Sequence, residues 1–324
     1  MFEPGQTDRS MAPRSTRRCA GWIAASIAIA VFLAGCASPP KPADEQSGSA
    51  QPAPTQPTVE PSKPALRPPK IGLALGGGAA RGFAHIGVIQ VLEEHGIRPD
   101  LVVGTSAGSL VAALYAAGKN GAELAVLADA MDESTLTDWS YPGRGLIRGA
   151  ALAKFVREHT ESRTIERMRI PLGIVATDLD NGQAILFEVG DAGTAVRASS
   201  AVPAVFQPVS IGGREYVDGG LVAPVPVRFA RQMGAEIVIA VDISAAPEGN
   251  PTGDAMRMLL QTFAIMGRSI NNFELRDADI VVRPRLPGVS SADFAARKRS
   301  IQAGRDATQA VLTDLAARIV AKSR

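Results

Sequence analysis

The stretch Gly104-Thr105-Ser106-Ala107-Gly108 is the most informative part of this chain. The apolar run Leu101-Val102-Val103 before it is typical of a short buried strand, and the residues from Ser106 to Ala117 predict a helix that ends at Gly118. A strand, a sharp turn, a serine and a helix together form a nucleophile elbow, in which small neighbours tolerate the strained serine backbone. Ser106 would then lie at a helix N-terminus, where the helix dipole favours developing negative charge. The alternative is a tight turn whose serine only caps the helix.

The histidines bear on which base could activate this serine. The chain has His85, His95 and His159. An elbow-type triad runs serine, acid, histidine along the chain, so only His159 could complete one. His159 lies in a charged stretch typical of a solvated helix end. If Ser106 is a nucleophile, we therefore expect a carboxylate as its base.

Asp218 is the best candidate for that carboxylate. It follows a strand ending at Val217 and precedes Gly219 and Gly220, which let the backbone pass close to a neighbour. A carboxylate with a pKa near about 3.9 is a weak base, so Asp218 must be partly desolvated and close to the serine hydroxyl. An Asp-Gly hairpin turn is the alternative interpretation.

A glycine-rich loop follows the first predicted strand. The strand Ile71–Leu75 runs into Gly76-Gly77-Gly78-Ala79-Ala80-Arg81-Gly82, and a helix follows. Backbone N–H groups in such a loop bind an oxyanion or a phosphate equally well. The loop lacks the Gly-Lys-Ser/Thr sequence of a P-loop. The second predicted strand does not end at the acidic residue that binds the ribose in a dinucleotide-binding fold. An oxyanion hole is the best remaining use, with Arg81 steadying the loop, contacting a substrate phosphate or forming a surface ion pair.

Taken in order, these motifs resemble the patatin-like phospholipases. The glycine loop, Gly104 to Gly108, Asp218-Gly219-Gly220 and the stretch from Arg197 to Phe206 carry the resemblance, which covers roughly residues 71–283. It implies a Ser106–Asp218 dyad, an oxyanion hole at the Gly76–Gly78 loop and the hydrolysis of lipid acyl esters. One departure is the pair Ala79 and Ala80 between Gly78 and Arg81, where many members have one residue. Which loop amides would face the oxyanion therefore stays open.

The pattern of segments predicts the fold class. Seven short apolar strands alternate with eight helices, which favours a three-layer α/β sandwich with a largely parallel central sheet, as in the patatin-like family. The predicted strands are Ile71–Leu75, Leu101–Val103, Leu172–Ala176, Ala184–Glu188, Glu215–Val217, Glu236–Val241 and Ile280–Val282. The predicted helices are Gly82–His95, Ser106–Ala117, Ala122–Met131, Ala150–His159, Ala192–Ala201, Val227–Met233, Gly253–Asn271 and Ile301–Lys322. We assign residues 70–324 to this domain.

The N-terminus is predicted to be an export signal. Residues 1–35 combine arginines with an apolar run too short to span a membrane comfortably, and Leu33-Ala34-Gly35-Cys36 resembles a bacterial lipobox. We expect cleavage before Cys36, lipidation of that cysteine, and a Pro-rich disordered tether over residues 36–69. Ala37 after the cysteine favours the periplasmic face of the outer membrane. An uncleaved signal anchor is the alternative.

Composition narrows the set of partners. The net charge of the whole chain is +2, and residues 1–35 carry four Arg and two acids, which leaves the exported part formally neutral. We therefore expect no nucleic-acid partner, and membrane lipids as both substrate and anchoring surface. The cysteines are Cys19 and Cys36, so the exported form has no pair for a disulfide. We expect neither a metal nor a cofactor, and the oligomeric state stays open.

Three further interpretations remain open. Residues 134–149, with aromatic Trp139 and Tyr141, could form a lid or an interfacial contact, or could pack a long loop onto the core. Asp178 is expected to shape a turn rather than to take part in chemistry. As alternatives to lipid hydrolysis, the chain could act on soluble esters or thioesters, or be a non-catalytic tethered interaction lipoprotein.

Overall fold

A computed structural model describes residues 67–131, 133–136, 138–139, 143–248, 252–290 and 292–323. The predicted signal peptide, Cys36 and all of the predicted tether before Arg67 lie outside the described residues, as do Thr137 and Ser140 to Pro142 of the predicted lid segment. Within the described residues, no helix is both long and apolar enough to span a membrane.

A mixed eight-stranded sheet organises the domain. Its strands lie in the order β10-β9-β1-β2-β4-β8-β7, with β5 paired to β4. The pairs from β10 to β4 are parallel, and those of β4–β5, β4–β8 and β7–β8 are antiparallel. The strands are β1 Ile71–Leu75, β2 Leu101–Thr105, β3 Gly145–Ile147, β4 Leu172–Asp178, β5 Ala184–Phe187, β6 Ala204–Phe206, β7 Val209–Ile211, β8 Arg214–Asp218, β9 Ile237–Val241 and β10 Ile280–Val282, where β3 and β6 form a separate parallel pair.

Helices follow most of the parallel strands and cover the sheet. They are α1 Ala84–Glu94, α2 Ala107–Ala116, α3 Gly121–Ala130, α4 Glu133–Leu136, α5 Ala150–His159, α6 Ala192–Ser199, α7 Val227–Gln232, α8 Ala255–Glu274, α9 Arg297–Gln309 and α10 Leu312–Lys322. A short 3₁₀ turn, Ala79–Phe83, connects the glycine loop to α1.

The buried side chains of the strands separate onto two faces, which confirms the three-layer sandwich. Leu73 and Leu75 of β1 pack with the apolar residues of α1, α2 and α3. Ala74, between them, faces the opposite side and packs with Phe229 of α7. Strands buried on both faces are the continuous apolar runs from which the sequence predicted this class.

Strand β4 brings the ends of β2 and β8 together. It pairs with β2 over Leu172–Val175, with β5 over Ile174–Thr177 and with β8 over Ala176–Asp178. Strand β5 pairs with residues of β4 that also pair with β2 and with β8, so β5 occupies the edge of β4 away from both. Strands β2 and β8 therefore share the other edge of β4. Thr105 is opposite Val175 and Asp218 is opposite Ala176, so the two strand ends meet at adjacent positions.

The main differences from prediction concern short elements and the C-terminus. The strands β3, β6 and β7 and the helix α4, each three or four residues long, were not predicted. The predicted helix Ile301–Lys322 is two helices, α9 and α10. Helix α9 packs so closely on α1 that a Cβ added at Gly304 would lie 2.0 Å from the Ala84 carbonyl oxygen. No glycine or proline marks the break after Gln309, so the apolar spacing alone did not indicate it.

Candidate active site

Ser106 occupies the sharp turn between β2 and α2. Its backbone has φ 53° and ψ −125°, a conformation that residues with a side chain rarely adopt. The turn has no room for larger neighbours, because a Cβ added at Gly108 would lie 2.1 Å from the Leu75 carbonyl oxygen. A Cβ at Gly104 would lie 2.4 Å from the Gly108 carbonyl oxygen. These glycines therefore permit the elbow geometry predicted for the stretch.

Ser199 holds the elbow from the neighbouring helix α6. The amide of Ser106 donates to the Ser199 hydroxyl over 2.9 Å, and that hydroxyl donates to the Val175 carbonyl over 2.5 Å. Ser199 is fully buried. Sequence reasoning assigned no role to Ser199 itself, although this serine lies in the stretch from Arg197 to Phe206 that carried the family resemblance.

Asp218 lies at the end of β8, directly beside Ser106. The Ser106 hydroxyl donates to Oδ2 of Asp218 over 2.7 Å, and the Gly220 amide donates to Oδ1 over 2.6 Å. Burial raises the pKa of Asp218 to about 6, against the opposing effect of these two hydrogen bonds. Gly219 keeps the turn compact, since a Cβ there would lie 2.2 Å from the Val175 carbonyl oxygen.

The glycine loop leaves specific amides without acceptors. Gly76 donates to the Val241 carbonyl over 3.0 Å and Gly77 to the Pro224 carbonyl over 2.9 Å. Among the described residues, the amides of Gly78 and Ala79 have no acceptor, and neither does that of Ala107 at the start of α2. Ala79 lines the same cavity as Ser106. Of the predicted oxyanion glycines, Gly76 and Gly77 thus have engaged amides, whereas Gly78 has a free one.

Arg81 and Gly82 support the loop. The Nε of Arg81 donates to the Ile243 carbonyl over 2.9 Å, and burial lowers the pKa of this guanidinium. Arg81 is not among the residues that line the cavity at Ser106. A Cβ added at Gly82 would lie 2.9 Å from the Cβ of Ala107, so this glycine allows the loop to approach α2.

Within the described residues, none of the three histidines is a hydrogen-bond partner of the Ser106 hydroxyl, and one of them contacts the glycine loop. His85 is fully buried in α1, with Nε2 2.8 Å from the Gly76 carbonyl oxygen. Burial lowers the pKa of His85 to about 4, so the ring is neutral near pH 7. His95 Nδ1 contacts the Val91 carbonyl, and His159 packs edge-on against Phe155. The sequence did not assign the contact between His85 and Gly76.

An apolar cavity of about 350 Å³ opens at Ser106. Its wall is formed almost entirely by hydrophobic side chains from the 3₁₀ turn, α1 to α5, β3, β6 and α8, and Ser106 and Ser200 are its polar side chains. The larger lining residues are Phe83, Ile86, Leu110, Val111, Leu114, Leu124, Leu127, Met131, Leu136, Ile147, Leu152, Val202, Val205, Phe206, Leu260 and Phe294. Such a cavity suits the hydrocarbon part of a ligand, with its polar end at the serine.

The described part of the predicted lid segment borders this cavity. Ile147 in β3 lines it, and Trp139, which bridges to Ile147, is 69% exposed. Asp138 anchors the segment to α5 by accepting from the amides of Gly149 and Ala150. Whether this segment acts as a lid stays a prediction.

Asp178 lies apart from the site. Its Oδ1 accepts from the amides of Asp180 and Asn181, and its Oδ2 pairs with Arg214 over 2.6 Å. These contacts shape the turn after β4, as predicted. No group of three or more His, Cys, Asp or Glu side chains that could hold a metal ion occurs within the described residues.

The fold and site define a three-layer α/β protein with a serine on a strand-to-helix elbow. The family model described as patatin-like phospholipase matches residues 73–231, which include the glycine loop, the elbow and Asp218. Residues 73–231 therefore form a patatin-like phospholipase domain.

Curated relatives match part of the chain. An uncharacterised NTE family protein of Mycobacterium tuberculosis is 38% identical over 190 residues, covering 58% of this chain and 52% of the relative. Human patatin-like phospholipase domain-containing protein 6 is 34% identical over 186 residues, covering 55% of this chain and 14% of the relative. The chain therefore spans about half of the mycobacterial relative and a small part of the human one.

A solved structure shares the fold. The crystal structure of VipD from Legionella pneumophila superposes with a TM-score of 0.55 over 76% of this chain and 67% of that chain, at 15% sequence identity.

Proposed function

We propose that this protein is a lipid acyl hydrolase that cleaves carboxylic esters with Ser106 as nucleophile and Asp218 as base. The observation that carries the proposal is the 2.7 Å hydrogen bond from the Ser106 hydroxyl to a buried carboxylate, at the opening of an apolar cavity. A buried carboxylate whose pKa is raised to about 6 is a better base than an exposed one. Serine and base within hydrogen-bond reach are the arrangement that nucleophilic catalysis requires.

In the first half of the reaction, Ser106 Oγ attacks the ester carbonyl carbon while its proton passes to Oδ2 of Asp218. The tetrahedral oxyanion accepts hydrogen bonds from the free amides of Gly78, Ala79 and Ala107, aided by the N-terminus of α2. The intermediate collapses, the bond to the leaving alcohol breaks, and the alcohol takes the proton from Asp218. An acyl ester on Ser106 remains.

In the second half, Asp218 takes a proton from water as the water oxygen attacks the acyl carbon. The second tetrahedral intermediate uses the same amides. Its collapse breaks the bond to Ser106 Oγ, which recovers the proton from Asp218, and the fatty acid leaves. Atoms and charge balance with one water consumed for each ester cleaved.

The size of the cavity indicates that the recognised part of the substrate is an acyl chain. An engineered cavity of about 150 Å³ holds one benzene molecule, so a cavity of about 350 Å³ has room for roughly a dozen carbons of a flexible chain. A relative in Debaryomyces hansenii, 32% identical over 187 residues covering 56% of this chain and 12% of that protein, bears the name lysophospholipase NTE1. Both observations favour a glycerophospholipid or lysophospholipid over a small soluble ester.

We extend the proposal to the cell envelope on the basis of the sequence. A lipid on Cys36 and a Pro-rich tether would hold the domain near its lipid substrates. The attachment rests on the lipobox-like stretch before Cys36, and the periplasmic face of the outer membrane rests on Ala37 after it. Mass spectrometry of the protein purified from separated inner and outer membranes tests them. An N-terminus at an unmodified residue other than Cys36 contradicts the attachment, and recovery with the inner membrane contradicts the location.

The activity is tested with a fluorophosphonate probe and a panel of phospholipid vesicles, lysophospholipids and short-chain esters. Wild type and the exposed-site control Ser210→Ala should be labelled and release free fatty acid, measured by mass spectrometry. Ser106→Ala should do neither while remaining folded. Hydrolysis retained in purified Ser106→Ala overturns the mechanism, and a wild type that neither labels nor hydrolyses favours a non-catalytic lipoprotein.

A further inference from the structure

His85 is a buried polar side chain that the mechanism above does not use. The ring is fully buried in α1, and its Nε2 lies 2.8 Å from the Gly76 carbonyl oxygen. A carbonyl oxygen only accepts hydrogen bonds, so Nε2 carries the hydrogen and Nδ1 is a bare acceptor. Nδ1 has no hydrogen-bond partner among the described residues.

The hydrogen bond from His85 completes the restraint of one peptide in the glycine loop. The peptide between Gly76 and Gly77 is held on one side by His85 at its carbonyl and on the other by Pro224, which accepts from its N–H. The next two amides along the chain, those of Gly78 and Ala79, have no acceptor among the described residues. The free amides lie in the two peptide planes that follow, so their orientation depends on the plane that His85 and Pro224 hold.

The histidine supplies a donor to the Gly76 carbonyl at the cost of one unpaired ring nitrogen. The buried imidazole loses hydration at its unpaired Nδ1, but an apolar side chain in its place would leave the Gly76 carbonyl without the donor that His85 supplies. The glycine loop cannot supply the restraint itself, because a Cβ at Gly76 would lie 2.8 Å from the Val241 carbonyl oxygen. A donor from outside the loop is needed at this carbonyl.

We propose that His85 is a positioning residue of the oxyanion hole, which holds the Gly76 carbonyl so that the amides of Gly78 and Ala79 point at the reacting carbonyl. The proposal rests on the proposed function, since it concerns the same site. His85 touches neither substrate nor the serine hydroxyl and acts through the loop alone. Its loss should weaken binding of the transition state and leave binding of the acyl chain unchanged.

The test compares His85→Gln, whose side-chain amide can donate from nearly the position of Nε2, with His85→Met, which has similar length and no donor. Each full-length variant is assayed with a soluble ester, with an alkyl trifluoromethyl ketone, which forms a tetrahedral adduct on the serine, and with a fluorescent fatty acid. Removing a direct oxyanion donor costs about 10²–10³-fold, so an indirect support should cost about 10–100-fold.

We expect His85→Met to lose about 10–100-fold in kcat and a similar factor in ketone affinity, with KM and fatty-acid affinity within about twofold of wild type. His85→Gln should recover most of the loss. If the Met variant does not fold, His85→Asn, whose amide is too short to reach Gly76, takes its place.

The proposal is overturned if the Met variant keeps wild-type kcat, if Gln is as impaired as Met, or if ketone and fatty-acid affinities fall together. Wild-type turnover is measured in the same series. An inactive wild type removes the proposed function and this inference with it, whereas an active wild type with an unaffected Met variant removes this inference alone.

Discussion

The Ser106 hydroxyl donates to Oδ2 of Asp218 over 2.7 Å, although 112 residues separate the two in the chain. Strand β4 explains the contact, because β2 and β8 run in opposite directions along the same edge of it. Strand β2 ends beside Val175 and β8 ends beside the next residue, Ala176. The dyad geometry is therefore a consequence of strand register. A shift of β8 by one residue would turn the carboxylate to the other face of the sheet.

The burial of Asp218 predicts an acid limb in the pH dependence of hydrolysis. Its pKa is raised to about 6, and only the ionised form can accept the serine proton. We expect kcat/KM for an uncharged soluble ester to rise tenfold per pH unit below about pH 6 and to level off above pH 7. A rate independent of pH between 4.5 and 8 would contradict the role of Asp218 as base.

The same burial predicts that Asp218→Asn is inactive but more stable than wild type at alkaline pH. Because the folded-state pKa lies above the unfolded-state value near about 3.8, the contribution of Asp218 to stability is fully present below pH 4 and is lost as pH rises through about 6. At one pKa unit per 1.4 kcal/mol, the ionised carboxylate costs at most about 3 kcal/mol.

Thermal unfolding of Asp218→Asn and wild type at pH 4 and pH 8 measures this difference. We expect the variant to melt roughly 5–10 °C higher at pH 8 and at nearly the same temperature at pH 4. A variant that is less stable at pH 8 would mean that the Gly220 and Ser106 hydrogen bonds outweigh the cost of burial.

Ser199→Ala should damage the elbow without touching substrate. The change removes the acceptor of the Ser106 amide and the donor to the Val175 carbonyl, leaving buried backbone groups unpaired at a cost of about 1–3 kcal/mol. Since this hydrogen bond restrains a strained backbone, we expect slower fluorophosphonate labelling as well as a lower melting temperature. Ser210→Ala, exposed on β7, is the matched control and should change neither.

Much of the site could be predicted from sequence because its motifs are local. Ser106 and Asp218 each follow an apolar strand and adjoin glycines, and the absence of a suitably placed histidine favoured a carboxylate base. The supporting contacts are long-range, since Ser199 lies 93 residues after Ser106. No local sequence pattern predicts a hydrogen bond between residues so far apart. The predicted helix Gly82–His95 contains His85. The contact of its ring with the Gly76 carbonyl depends on tertiary packing and could not be predicted. The β3–β6 pair, which shapes the cavity, consists of strands too short for a periodic signal.

The cavity predicts that Leu114 limits the length of the acyl chain. It lines the cavity eight residues beyond Ser106 on α2, a separation of about 12 Å along the helix axis. A larger side chain there should fill the end of the cavity far from the serine and exclude long chains, while short ones still reach the nucleophile.

Leu114→Phe should therefore leave butyryl ester hydrolysis within about twofold of wild type and lower kcat/KM for dodecanoyl esters by about tenfold or more, in line with about 1–3 kcal/mol per misfit group. The matched control is Val126→Phe on α3, where the side chain is 72% exposed and does not line the cavity. Equal losses for butyryl and dodecanoyl esters in Leu114→Phe would indicate a distorted elbow. They would contradict the assignment of the acyl chain to this cavity.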